Sequence, residues 1–97
     1  MLTIPQIKKA VSKIGKRYGV KNAYLFGSYA KGNANEYSDV DLIIDAGEIK
    51  GLIELAGFQL DLIDELNGTE VEVVPENSVS PRFFDLIKDE RILIYGE

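Results

Sequence analysis

There is no cysteine and no histidine anywhere in the chain. The first absence excludes disulfides, thiolate nucleophiles and cysteine-ligated zinc. The second removes the commonest general base, the commonest transition-metal ligand and every Ser–His arrangement. Long apolar runs are missing as well. None exceeds about five residues, far short of the ~20 that a membrane-spanning helix needs. Met1–Pro5 carries no charged segment leading into an apolar core, so no secretory leader is expected and a cytoplasmic location is the default. Chemistry on such a chain must run on carboxylates, hydroxyls, lysines and backbone groups. Hard oxygen donors select hard cations, Mg²⁺ foremost where phosphates are present.

What is there is 97 residues, 45% hydrophobic and 28% charged, the balance of an ordinary soluble globular chain. Residues 1–97 read as a single small domain with room for one site and no separate lobe to grip a large substrate. The net charge of −5 conceals a strong asymmetry. Seven basic residues and no acidic one fall between Met1 and Asn35, namely Lys8, Lys9, Lys13, Lys16, Arg17, Lys21 and Lys31. All sixteen acidic residues lie from Glu36 onward. An acidic total argues against nucleic acid as the partner, because binding it needs phosphate neutralisation. The basic third offers a surface to an acidic partner or to a triphosphate.

Periodicity predicts the elements. Thr3 as N-cap and Pro5 in the first turn open a helix over residues 4–18, with Ile4, Ile7, Val11, Ile14 and Tyr18 on one stripe and Gly19 as the stop. Residues 22–26 form a short strand that ends at Gly27-Ser28, followed by one turn of helix through Lys31 and a polar loop. Residues 39–45 are a second, largely apolar strand. A helix is expected over 50–66, on the repeat of Leu52, Leu55, Ala56, Leu62, Ile63 and Leu66, closed by Asn67-Gly68. A strand over 69–74 stops at Pro75. Ser80-Pro81 starts a last helix to about Glu90, and 91–95 is a short closing strand. The expectation is an α/β (α+β) fold, a three-to-four-stranded mixed sheet flanked by helices.

The informative segment is Gly27-Ser28-Tyr29-Ala30-Lys31-Gly32, then Ser38-Asp39-Val40-Asp41-Leu42. Residues two apart on a strand share a face, so Asp39 and Asp41 project together, and two such acids repel unless a cation or solvent lies between them. A strand running into Gly-Ser and a turn of helix offers backbone N–H groups and a hydroxyl to an anion. Gly27 permits close approach to the backbone, and Lys31 adds positive charge. Glu70 and Glu72 lie on one face of the third strand, where a further carboxylate would complete a cation site of one or two metals or accept a proton. Taken singly, each feature has an ordinary explanation. Asp-x-Asp is common, Gly-Ser after a strand is usually a turn, paired glutamates suit a solvated edge, and the first helix's lysines suit its wet face. Only the combination is specific.

That combination resembles a known family. Gly27-Ser28, ten residues, then Asp39-x-Asp41 is similar to the signature of the DNA polymerase β-like nucleotidyltransferases. The wider string, with the ending Glu90-Arg91-Ile92-Leu93-Ile94-Tyr95, resembles their small prokaryotic branch, the minimal nucleotidyltransferases. The resemblance implies that Gly27, Ser28, Lys31 and Ser38 bind the nucleotide. It also implies that Asp39, Asp41 and Glu72 bind Mg²⁺ and serve catalysis, with ATP or another nucleoside triphosphate as substrate. At Glu72 the family usually carries Asp, and at Lys31 frequently Arg. Members of this branch are similar to antitoxins encoded beside helical HEPN-type toxins, some of which transfer AMP onto a tyrosine of the toxin. The resemblance therefore implies a HEPN-type partner protein as acceptor.

The leading expectation is an enzyme transferring a nucleotide to a hydroxyl on a partner. The alternative is a non-catalytic nucleotide-binding antitoxin or regulatory subunit that neutralises its partner by occlusion. A nucleic-acid-modifying transferase is disfavoured by the acidic total. A domain of this size is also a candidate to pair with itself.

Overall fold

A computed structural model describes residues 1–96. The order is α1 (Ile4–Tyr18), β1 (Asn22–Phe26), α2 (Gly27–Lys31), β2 (Val40–Asp45), α3 (Gly51–Glu65), β3 (Val71–Pro75), a 3₁₀ turn (Glu76–Ser78), α4 (Pro81–Ile87) and β4 (Ile92–Tyr95). The four strands form one mixed sheet in the order β3-β2-β1-β4. β1 is antiparallel to β2 and to β4, while β2 and β3 are parallel, as their connection through α3 requires.

α1 forms for the reasons its sequence announces. Thr3 Oγ1 accepts from the Gln6 N–H and Gln6 returns the bond to the Thr3 N–H, a reciprocal capping box. Gly19, at φ 74°, ends the helix in the left-handed region. Ile7, Val11 and Ile14 are fully buried. Thr3→Ala should cost about 1 kcal/mol, read as a melting point lower by ~4–8 °C.

Alternation sorts the sheet residues into two faces. Ala23, Leu25, Val40, Leu42, Ile44 and Val71 join α1 and α3 in the main core, with Phe58, Leu62 and Leu66. Tyr24, Phe26, Asp41, Ile43 and Glu72 belong to the other face, on which α4 lays Phe83 edge-on against Phe26 at 5.7 Å. Arg91 stacks over Tyr24 at 4.1 Å and over Phe84 at 4.8 Å, which fixes the end of α4 to the same face.

Several boundaries differ from expectation. β2 starts at Val40, so Asp39 stands just outside it. β3 starts at Val71, leaving Glu70 in the preceding turn. The Val40 N–H donates to the Glu70 carbonyl at 2.9 Å, the last rung before the strands diverge. Pro75 closes β3 from within, since it lies on a sheet edge where its missing N–H is tolerated. α4 ends at Ile87, three residues early.

The larger correction concerns α3. Leu52 and Ala56 were expected on its core stripe, yet both are exposed. The buried side is carried by Phe58 and Leu62, with Leu55 and Ile63 packed partly against it. A helix apolar on nearly every side has a periodicity that does not tell inward from outward. Its acidic flank does face α1. Lys13 pairs with Glu65 at 3.1 Å and Arg17 with Asp61 at 3.6 Å, while the Tyr18 hydroxyl donates to Asp61 at 2.6 Å. Part of the sequence's charge asymmetry is thus satisfied within the fold.

Candidate active site

The antiparallel pairing of β1 with β2 sets Phe26 opposite Asp41. The chain therefore leaves β1 beside the start of β2, and the Gly-Ser segment meets the acidic one there. Gly27 turns the chain at φ 74°, a conformation that side-chain-bearing residues rarely adopt. A Cβ on Gly27 would collide with Asp41 Oδ2. The glycine is thus required twice, by its dihedral angle and by the carboxylate lying against it.

α2 follows at once. Its N-cap, Phe26, supplies no side-chain bond to the first turn, and those N–H groups point along the helix axis toward its start. Tyr29, only 6% exposed, plugs the one-turn helix into the main core. Its burial anchors Gly27 and Ser28. Lys31 sits at the other end of α2, where its Nζ is 3.6 Å from a Glu90 carboxylate oxygen, both side chains about half exposed. In this arrangement it is paired at the surface and not grouped with the aspartates.

Ser38 shapes the approach to the acids. Its hydroxyl accepts from the Asn35 N–H at 2.9 Å, its own N–H donates to the Asn35 carbonyl at 3.0 Å, and Asn35 Oδ1 accepts from the Tyr37 N–H at 2.8 Å. This closed turn delivers the chain into Asp39 and β2 in a fixed direction. A cleft of about 370 Å³ opens beside it, lined by Glu36, Tyr37, Ser38, Asp39 and the Asn67–Glu70 turn.

The parallel ladder places Asp41 directly opposite Glu72. Partial burial first, then the charge and the hydrogen bond of Glu72, and then the charge of Asp39, push the Asp41 carboxyl up to about 6. Two carboxyls sharing a hydrogen bond need a proton between them. Glu70 does not join them. Among the described residues no three acidic groups converge closely enough to hold a cation as they stand; Asp41 and Glu72 face each other and Asp39 acts from the adjoining position. Negative charge held against partial burial, with oxygen donors only, nevertheless fits a hard divalent cation, and a glycine cradle on the same carboxylate fits an anion bound to that cation.

Comparison with known proteins shows the family. The nucleotidyltransferase domain family matches residues 4–94. The chain belongs to the nucleotidyltransferase domain family. A Methanocaldococcus jannaschii relative named "Putative protein adenylyltransferase MJ0435" is 37% identical over 91 residues, covering 94% of this chain and 97% of its own. A solved structure of a "putative minimal nucleotidyltransferase" is 31% identical, with a TM-score of 0.78 over 94% of this chain and 95% of that one. The small-branch resemblance is thereby established: the chain is a minimal nucleotidyltransferase, a transferase. More distantly, a structure of a tri-AMPylated Shewanella oneidensis HEPN toxin in complex with MNT antitoxin matches at 18% identity and a TM-score of 0.74, over 98% of this chain and 74% of that one. At that identity the likeness shows the fold alone.

Sequence reasoning missed the fixed contact between Gly27 and Asp41, the burial of Tyr29 and the role of Ser38 as a turn-former. Asn35-x-x-Ser38 is a pattern that favours such a turn, and it was the signal available for the last of these.

Proposed function

We propose that this chain transfers AMP from Mg·ATP to a hydroxyl on a partner protein, as an antitoxin-type minimal nucleotidyltransferase. The observation that carries the proposal is the Asp41 carboxylate, held by β2 between the Gly27 turn and Glu72, with its proton affinity raised to about 6. A site that resists its own ionisation is poised to receive positive charge. Asp39, Asp41 and Glu72 would hold Mg²⁺. When bound, the ion would screen the triphosphate and stabilise the charge that develops on it. The Gly27 backbone and the Ser28 hydroxyl hold the phosphates against the end of β1. Ser38 keeps the 35–38 turn clear of that approach. The acceptor oxygen forms a bond to the α-phosphorus as the bond to the β-phosphate oxygen breaks. Pyrophosphate carries away the electron pair, and Glu72 takes the hydroxyl proton.

ATP and a protein acceptor are supported by the adenylyltransferase name of the Methanocaldococcus relative. They are also supported by the AMPylated toxin in the distant structural likeness, which is the basis for a HEPN-type partner. The test is incorporation of label from [α-³²P]ATP into a co-purified partner, by the native chain and by Asp39→Ala/Asp41→Ala. Transfer by the native chain alone is expected. Equal labelling by both would overturn the assignment. Full neutralisation of the partner by the double variant would favour occlusion over modification.

A further inference from the structure

The outward face of α3 is apolar. Leu52 is 82% exposed, Ile53 89% and Leu60 64%, and Ala56 lies exposed between them. Positions 52, 53, 56 and 60 fall within about 100° of one another on a helical wheel at ~100° per residue. They therefore form one patch, diametrically away from buried Phe58 and Leu62. Scattered exposed leucines need no explanation, but a contiguous stripe along one helix marks an interaction surface.

We infer that this face of α3 pairs with the same face of a second copy, the two helices running antiparallel across a twofold axis near Ala56. This inference stands on the geometry of α3 and does not depend on the proposed transfer reaction.

Charge and shape both select a second copy. The stripe is bounded at its N-terminal end by Lys50 and at its C-terminal end by Asp64, both exposed, with about 21 Å of helix between them at 1.5 Å per residue. Neither side chain takes part in an ion pair among the described residues. Antiparallel self-pairing brings each Lys50 toward the mate's Asp64, so one sequence supplies two complementary charge pairs, as an isologous interface demands. The same superposition places each Leu60 opposite the mate's Leu52. Beside Leu52 lies a groove of about 230 Å³ whose apolar lining includes Ile49, Leu55 and Pro75. It offers a hole for the Leu60 knob of the facing helix, and Ala56 at the crossing lets the backbones approach. Glu54, the remaining charge near the N-terminal end, is occupied with the Lys50 N–H at 3.1 Å and lies on the α1 flank, outside the stripe.

The test is sedimentation equilibrium of the full chain across roughly 1–200 μM, for the native protein and four variants. The native chain is expected to reach twice the monomer mass within that range. Leu60→Asp and Lys50→Glu should each weaken dimerisation at least tenfold. The double exchange Lys50→Glu/Asp64→Lys should restore it, because each pair is then reversed and not broken. Ile53→Asp serves as a second disruption. All four positions involved are exposed, so melting of the monomer and its far-ultraviolet circular dichroism should stay at the native values, which separates loss of pairing from loss of fold. A native chain that is monomeric throughout, or a dimer untouched by Leu60→Asp and Ile53→Asp, would overturn the inference. In the monomeric case the stripe would be a docking face for a different protein. Failure of the double exchange to restore what Lys50→Glu removes would overturn the antiparallel arrangement.

Discussion

Asp41→Asn should abolish transfer and at the same time raise the melting point of the ligand-free protein. The two effects have one origin. With a pKa raised from 3.8 to about 6, Asp41 ionises less readily in the folded chain than in the unfolded one. Below about pH 3.8 it is protonated in both states and carries no penalty. Between that value and about 6 the unfolded chain loses its proton while the folded chain retains it, so stability falls as pH rises. Above about pH 6 the full penalty applies. Roughly two pKa units correspond to at most ~3 kcal/mol, and the partial exposure of Asp41 reduces this to the order of 1 kcal/mol. Asparagine removes the charge and offers an N–H to Glu72 where the shared proton lay. The difference in melting point between Asp41→Asn and native chain should be near zero at pH 4 and grow to ~4–8 °C at pH 7. A difference that did not change with pH would show that Asp41 is not the group responsible.

The activity of that variant should fall by on the order of 10²-fold or more, since a lost charged ligand at a phosphate site removes a few kcal/mol from the barrier's stabilisation. The same site therefore trades stability for chemistry. Mg·ATP at 100 times its dissociation constant should stabilise the native chain by about 2.7 kcal/mol. Asp41→Asn should begin from a higher melting point and gain little. A variant both more stable when empty and unresponsive to ligand is hard to produce by general damage to the fold.

How much of this was legible in the sequence differs between elements for physical reasons. α1 was readable to the residue because its cap, its stripe and its glycine stop all agree, and agreement between levels is what makes a segment unambiguous. The strands were readable as segments, but their ends were not. Asp39 and Thr69-Glu70 were assigned to strands on alternation, and whether a terminal residue pairs depends on where the neighbouring strand diverges. The Gly27-Ser28 to Asp39-x-Asp41 spacing identified the candidate site. That Asp41 leans on Gly27 and faces Glu72, with Glu70 left aside, is a matter of register, and register between strands separated by a helix is set by tertiary packing. α3 shows the opposite limit. Its leucines and isoleucines gave the helix correctly and its orientation only in part, because an apolar outer face looks the same in sequence as an apolar inner one. Lys31 was expected to add positive charge four residues after Gly27, and its pairing with Glu90 at the surface, a partner fifty-nine positions away, has no signal in the sequence.

Gly27→Ala should inactivate the protein through Asp41, and Gly32→Ala should not. Both glycines sit at nearly the same backbone angle, φ 74° and 78°, so both substitutions carry the left-handed penalty of about 1 kcal/mol or somewhat more. They differ in what a methyl group meets. At Gly32 there is nothing within 4 Å, whereas at Gly27 the new Cβ strikes Asp41 Oδ2. Relief requires the carboxylate to rotate or β1 and β2 to part, and a displacement of about 1 Å in a positioning group can cost ~10²-fold in rate. Gly27→Ala is therefore expected to lose transfer activity and the Mg·ATP-induced rise in melting point. Gly32→Ala should keep both, with a melting point lower by ~4–8 °C. The contact itself can be isolated in the background of Asp41→Ala, where the atom that Cβ strikes is gone. There Gly27→Ala should cost no more stability than Gly32→Ala does, and the difference between the two backgrounds measures the Gly27–Asp41 coupling directly. Equal destabilisation by Gly27→Ala in both backgrounds would mean that only the dihedral angle matters. The carboxylate would then rest beside the phosphate turn without depending on it.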